Sequence, residues 1–123
     1  MFWRLSAICI AILIATAAAA RAEDEFPIVG TYTRDTACKG NGSDRPDLVV
    51  RITRERIESQ MGVCRILNRK RDGKDIMAHV ECMVPGGEQP ILGDVTFTIR
   101  DDTTLDFADQ DHTSDATLHK CTG

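Results

Sequence analysis

Cysteines, histidines and carboxylates are the residues of this chain whose types could do chemistry. The stretch CRILNRKRDGKDIMAHVEC, at positions 64–82, begins and ends with a cysteine and holds His79 and Glu81 near its end. Thiolate, imidazole and carboxylate groups bind zinc, and closely spaced cysteine pairs act as redox centres. No cysteine of the chain lies in a C-x-x-C pair. This spacing disfavours both a zinc site and a thioredoxin-like site.

Two groups of side chains remain as candidates for metal or acid/base chemistry. His79 and Glu81 would share one face of a strand, but one histidine and one carboxylate are too few ligands for a metal site. The segment DFADQDHTSD, at positions 106–115, lacks the D-x-[DN]-x-[DN]-G frame of a calcium loop. We therefore expect an exposed strand face and a solvated acidic loop, with no cofactor and no metal. The potential ligands of that loop are Asp109, Asp111, His112 and Asp115.

The chain also lacks the motifs of common catalytic sites. No serine lies in a nucleophile elbow, and no glycine-rich loop precedes a predicted helix. If all cysteines after the leader pair in disulfides, no thiol remains as a nucleophile. The sequence therefore predicts a protein that is not an enzyme.

The first 22 residues are typical of a secretory signal peptide. Arg4 precedes an apolar run at positions 5–20, and small residues at Ala20 and Ala22 form an A-x-A cleavage pattern. The run is shorter than the ~20 residues of a membrane span, so we expect no stable membrane anchor. Residues 23–123 are predicted to form a single β domain, periplasmic or secreted.

The cysteine count predicts two disulfides in that domain. Cys9 falls within the leader, which leaves Cys38, Cys64, Cys82 and Cys121, and an even number in an exported chain indicates a disulfide framework. A three-residue loop at 71–73 or at 72–74 places Cys64 and Cys82 on the same inward face, and the second loop opposes them directly. We therefore predict Cys64–Cys82 and, with it, Cys38–Cys121.

Short alternating segments indicate the elements that must position these residues. Apolar and polar side chains alternate at 48–53, 76–84 and 95–99, which is typical of half-buried strands. Residues 54–68 read as extended chain with a bulge near Gly62. A turn at 101–103 places Ile99 opposite Leu105 and Phe97 opposite Phe107. These features predict an all-β fold, a small antiparallel meander closing as a barrel or sandwich and stapled by two disulfides.

Charge is distributed unevenly along the chain. Without Arg4 and Arg21, 15 basic residues become 13 against 19 acidic ones, a net charge of −6 that gives no reason to expect nucleic acid as a partner. Basic residues concentrate at 45–74 and acidic ones at 94–115. A basic hairpin tip could contact an unknown protein or an anionic polymer, but mutual neutralisation of the two halves is favoured. The tip residues are Arg69, Lys70, Arg71 and Lys74.

The order of these features resembles a group of small, exported, four-cysteine proteins of alphaproteobacteria, mostly of unassigned function. The resemblance is carried by the leader, GTY at 30–32, VVRITRERI at 49–57, LHKC at 118–121 and the cysteine spacing. It implies export and a compact β fold. A fainter similarity is to periplasmic lysozyme inhibitors, whose inhibitory loop is nearest to PGGEQP at 85–90, without the tyrosine or serine of that loop.

The function predicted from the sequence is a non-enzymatic periplasmic or secreted binding or interaction domain whose partner is unknown. A lysozyme-inhibitor-like protein is one alternative. A metal-dependent hydrolytic enzyme, using His79 and Glu81 or the acidic loop, is the other. The oligomeric state is not predicted.

Overall fold

The computed structural model describes residues 25–121, in which eight antiparallel strands close into one barrel. Each strand pairs with the next along the chain, and the last pairs with the first. The all-β prediction is confirmed, and the closed form is a barrel. The predicted signal peptide, residues 1–22, lies outside the described residues. The strands are β1 (Gly30–Arg34), β2 (Val49–Ile52), β3 (Arg56–Ser59), β4 (Gly62–Asp72), β5 (Asp75–Met83), β6 (Ile91–Asp101), β7 (Thr104–Asp109) and β8 (Ala116–Lys120), and a 3-10 helix (Pro46–Leu48) precedes β2.

The core lies inside the barrel because alternate side chains of every strand point inward. On β5, Ile76, Ala78 and Val80 are buried while Met77 and His79 are exposed. The core is mostly aliphatic, as the small number of aromatic residues requires. Its buried apolar members are Phe26, Ile28, Tyr32, Ile52, Ile57, Ile76, Ala78, Val80, Val95, Phe97, Leu105 and Leu118.

The β6–β7 hairpin has the predicted side-chain pairs. Phe97 lies opposite Phe107, with ring centroids 5.4 Å apart, and Ile99 lies opposite Leu105. A register shift after Ile99 brings Asp101 opposite Thr104 and leaves a two-residue turn. The predicted pairs are therefore confirmed, because period-two alternation fixes them from either side of the turn.

The β4–β5 hairpin places Cys64 directly opposite Cys82, with 3.9 Å between their Cα atoms, and the two form a disulfide. The predicted three-residue loops are wrong. Asp72 pairs with Asp75 across a two-residue turn, and Gly73 adopts the positive φ of +61° that tight hairpins favour. A register shift between Ile66 and Asn68 supplies the extra residue that brings the cysteines into register.

Residues 54–68 are not one extended segment with a bulge. Strands β3 and β4 form a tight hairpin in which Ser59 pairs with Gly62. Gly62 has φ +145°, and a Cβ atom there would lie 2.3 Å from the carbonyl oxygen of Met83. The change of phase near Gly62 is thus a turn that only glycine can complete, because neither its φ nor its surroundings admit a side chain.

The second disulfide, Cys38–Cys121, joins the loop after β1 to the end of β8. Under this loop Thr33, on the outer face of β1, is only 1% exposed and donates a hydrogen bond to the carbonyl of Thr36 at 2.6 Å. The carboxylate of Asp44 accepts the amides of Lys39 and Gly40 at 2.8 and 2.9 Å. Both predicted disulfides are present, and this one holds the loop against the barrel wall.

Residues before β1 close one end of the barrel, which we call the closed end. Phe26 and Ile28 are 0% and 2% exposed, and the Tyr32 hydroxyl donates to the carbonyl of Ile28 at 2.8 Å. The guanidinium of Arg69 lies 5.3 Å from the centre of the Phe26 ring and donates to the carbonyl of Arg54 at 2.6 Å. The segment before β1 and the contacts of Arg69 therefore cover the core at this end.

We expect the two disulfides to stabilise the barrel unequally. A disulfide lowers the chain entropy of the unfolded state, and this effect grows with the length of the loop that it closes. The sequence separations are 83 for Cys38–Cys121 and 18 for Cys64–Cys82. Removing them by paired Cys→Ser substitution should lower the free energy of unfolding by about 4.5 and about 3 kcal/mol. Urea denaturation measures this, with fully reduced wild type as the control. A larger loss for the shorter loop would contradict the expectation.

We expect an alkaline limit to stability from Tyr32, the one tyrosine of the chain. Burial raises the pKa of Tyr32 to about 12, so the unfolded chain loses this proton near pH 10 while the folded chain keeps it. Stability is therefore unaffected by this group below pH 10 and falls between pH 10 and 12. Absorbance titration should show the phenolate forming near pH 12; formation near pH 10 would contradict burial.

Tyr32→Phe should lower the free energy of unfolding by about 1 kcal/mol at neutral pH, because the hydrogen bond of the hydroxyl is lost.

Candidate functional site

The end of the barrel opposite Phe26 holds a cavity of about 240 Å³, which we call the chamber. It is lined by side chains from most strands, so it belongs to the interior of the barrel and not to one loop. The Cys64–Cys82 disulfide forms part of its wall. The other inner side chains are Val50, Ile57, Val95, Phe97, Phe107, Ala116 and Leu118.

The chamber exists because the inward positions at this end carry small side chains. Val50, Val95 and Ala116 stand where larger residues would meet across the barrel. An eight-stranded barrel is just wide enough to be filled by side chains or to hold one small ligand. With small residues at this end, part of the barrel interior is left unfilled.

The mouth of the chamber has an exposed apolar rim. Met61, Met83 and Val84 line the opening and are 55%, 42% and 42% exposed. Ile91 and Leu92, at the start of the neighbouring strand β6, are 59% and 60% exposed. Methionine side chains are flexible and adapt to different ligands, and clustered exposed apolar groups mark binding surfaces. The rim therefore continues the apolar character of the chamber to the surface.

Two of the three charged residues that line the mouth are occupied by neighbours. Both oxygens of Asp47 accept hydrogen bonds from Arg45, at 3.0 and 2.7 Å. Asp109 accepts the Thr113 hydroxyl at 2.5 Å and the Ser114 amide at 3.1 Å, which hold its pKa below the usual range. These two carboxylates are turned toward their own loops.

Arg34 is the third charged residue of the mouth. It ends β1, is half-buried, and faces inward beside Leu118 of β8. Its Nη1 donates to the sulfur of Met61 at 3.2 Å, a weak acceptor. Within residues 25–121, no carboxylate forms an ion pair with Arg34. The guanidinium is thus a cation at the edge of an apolar space, with a weak partner.

The basic hairpin tip lies at the closed end, away from the chamber. Arg69 and Arg71 are half-buried there: Arg69 contacts Phe26, and Arg71 donates to the carbonyl of Gly73 at 2.9 Å. Lys70 and Lys74 are exposed. The four cations are therefore divided between the barrel end and the solvent and do not form one patch.

His79 and Glu81 lie on the outside of β5 and each contacts a different strand. His79 Nδ1 lies 2.8 Å from Asp94 of β6, and Glu81 pairs with Arg65 of β4 at 3.4 Å. The strand brings the two side chains to one side without bringing them together. They form two separate cross-strand pairs.

Metal-ligating groups converge at one place in the described part of the chain. Cys38, Asp44 and Cys121 place ligand atoms within 4.8 Å of one another. The two sulfurs are bonded to each other in the disulfide, so neither is a thiolate ligand. The cluster reflects the disulfide and the loop that Asp44 stabilises.

The carboxylates of the acidic loop at 109–115 form hydrogen bonds within that loop. His112 Nδ1 lies 2.9 Å from Asp115, which raises the pKa of the imidazole, while Asp109 accepts from Thr113 and Ser114. His112 adopts a positive φ of +55° at the turn. These contacts give the carboxylates the role of ordering the turn between β7 and β8.

Comparison with protein-family models, curated proteins and solved structures finds no match to this chain. Its two disulfides indicate a protein that is not cytoplasmic. Among residues 25–121, no helix has the length and apolar character needed to cross a membrane. The geometry of the chamber makes it the strongest candidate site.

We expect the chamber to accept a large side chain where the filled core does not. Ala116→Phe should leave the free energy of unfolding within about 1 kcal/mol of wild type or raise it, because the ring enters empty apolar space. Ala78→Phe, at a position that is 2% exposed, should cost about 1–3 kcal/mol or more through overpacking. Urea denaturation compares the two. Equal destabilisation would mean that the chamber offers no usable space.

Proposed function

We propose that this chain is a non-enzymatic binding domain, periplasmic or secreted, whose chamber holds a small apolar ligand. The observation that carries the proposal is the apolar space of about 240 Å³ inside the barrel, open at a rim that contains Met61 and Met83. Binding sites for small molecules are concave and mostly apolar, with a few polar groups that orient the ligand. The leader pattern and the disulfides support the proposed location.

The volume of the chamber limits the size of the ligand. A cavity of about 150 Å³ accommodates benzene, which has six carbons. In proportion, a chamber of 240 Å³ accommodates about ten carbons. This corresponds to a naphthalene ring system or to a short hydrocarbon chain, and it is too small for a large cofactor.

The chemistry of the lining favours binding over catalysis. The thiols of Cys64 and Cys82 are joined in the disulfide, so they are not nucleophiles. Asp109, with its lowered pKa, stays ionised at neutral pH and is a poor proton donor. Asp47 is held by Arg45. What these residues offer together is an apolar volume with charges at its edge.

Binding of an uncharged naphthalene derivative tests the proposal. Burial of about ten carbons at ~0.8 kcal/mol each, less a cost of ~4 kcal/mol for association, predicts a Kd of about 1 mM. Fluorescence titration measures the affinity, and calorimetry should show the negative heat-capacity change of apolar burial.

The same substitution at two alanines, one in the chamber and one on the outer face of the barrel, provides the matched variants. Ala116→Phe fills the chamber and should abolish binding, whereas Ala108→Phe places the same ring on the outer face of β7 and should leave the Kd unchanged. Circular dichroism and thermal melts confirm that both variants are folded. If wild type does not bind, or if both folded variants bind like wild type, the chamber is not the binding site.

A further inference from the structure

We propose that the ligand of the chamber is a single-chain carboxylate of about ten carbons, whose headgroup binds the guanidinium of Arg34. The inference rests on the proposed function of the chamber and adds the chemical class of the ligand. It depends on the position of Arg34, on the state of the other charges at the mouth, and on the shape of the space beneath them.

The position of Arg34 is suited to a ligand headgroup. It is the inward-facing last residue of β1, beside Leu118, so its charged end lies where the apolar chamber meets solvent. Because the side chain is half-buried, its interaction with an anion is screened less than that of a fully exposed arginine. A hydrocarbon chain in the chamber would therefore bring its polar end to this guanidinium.

The present partner of Arg34 can be exchanged. A thioether sulfur is a weak acceptor, and the Met61 side chain that carries it is 55% exposed. A carboxylate accepts two parallel hydrogen bonds from a guanidinium, a charge-assisted arrangement stronger than a bond to sulfur. Exchange of the Met61 sulfur for a ligand carboxylate, as the acceptor of the Arg34 hydrogen bond, is thus favourable.

The hydrogen bonds of the charged residues at the mouth, and not their net charge, favour a monoanionic head over a cationic one. Asp47 is bound at both oxygens by Arg45, and Asp109 by Thr113 and Ser114, so every oxygen of the two carboxylates already accepts a hydrogen bond. Their negative charges also oppose a dianionic phosphate more than a carboxylate. Of the lining charges, Arg34 is the one whose hydrogen bond goes to a weak partner, the Met61 sulfur.

Calorimetric titration with four ligands of equal chain length tests the inference. The ligands are decanoate, decanol, decylamine and decyl phosphate, each at neutral pH and below its aggregation concentration. Wild type should bind decanoate at least about tenfold more tightly than decanol, as a hydrogen bond to a charged group provides. Decylamine and decyl phosphate should bind more weakly than decanoate.

Substitution of Arg34 isolates the headgroup from the chain. Arg34→Gln should remove the preference for decanoate while the Kd for decanol stays within about twofold, because the chamber is intact. Arg34→Lys should keep part of the preference, since it retains the charge without the planar fork. Arg65→Gln is the matched control, because Arg65 lies on the outer face of β4 and pairs with Glu81.

The outcomes separate this inference from the proposed function. If wild type binds none of the four ligands, the chamber itself is not a site and both proposals fail. If decanol binds as tightly as decanoate, or decyl phosphate more tightly, the chamber binds apolar ligands but the carboxylate assignment is wrong. An unchanged preference in Arg34→Gln overturns the role of Arg34.

Discussion

Closing eight strands into a barrel creates an interior of fixed width, and every inward position must help to fill it. The aliphatic strands of this chain do not fill it alone. At the closed end the chain before β1 contributes Phe26 and Ile28, which are 0% and 2% exposed, so a short segment outside the strands completes the core. At the other end no described segment does the same, and the chamber remains. Within residues 25–121, the two ends differ because an apolar segment outside the strands is buried at the closed end alone.

An open chamber in so small a domain reduces the apolar area that folding can bury. A domain of about one hundred residues has a modest core, and disulfides offset that limit by constraining the unfolded chain. Cys64–Cys82 lies in the chamber wall, and Cys38–Cys121 ties the loop after β1 to the end of the last strand. The two covalent bonds thus offset the modest core by restricting the unfolded chain.

Features that depend on side-chain alternation could be predicted from the sequence. The pairs Phe97–Phe107 and Ile99–Leu105 follow from alternation around one turn, and Cys64–Cys82 follows from the face that its cysteines share. Cys38–Cys121 follows as the pair that remains. The β4–β5 turn was mispredicted because a shorter turn with a bulge after Ile66 gives the same cysteine register as a longer loop. The register of a hairpin depends on its turn length and its bulges together, and side-chain alternation in the sequence does not separate the two.

The chamber could not be predicted because its volume depends on which residues of different strands share a layer of the barrel. Val50, Val95 and Ala116 are far apart in sequence, and their small size has meaning only after closure. The cations that cluster along the sequence, in contrast, are separated by the fold. Alternation divides it, so that Arg69 and Arg71 turn to the barrel end while Lys70 and Lys74 remain in solvent. Charge density along a sequence is therefore a poor guide to charge density on a strand-rich surface.

The two ends of the barrel each present an inward arginine, and comparing them separates a structural role from a functional one. Arg69 has an aromatic ring 5.3 Å away and a carbonyl acceptor at 2.6 Å, so its charge and its donors help to close the core. Arg34 also points to the inside of the barrel, but it donates its hydrogen bond to the thioether sulfur of Met61. Among residues 25–121, no oxygen accepts a hydrogen bond from Arg34, so its guanidinium has a smaller structural role than that of Arg69. The ligand that we propose would supply that acceptor.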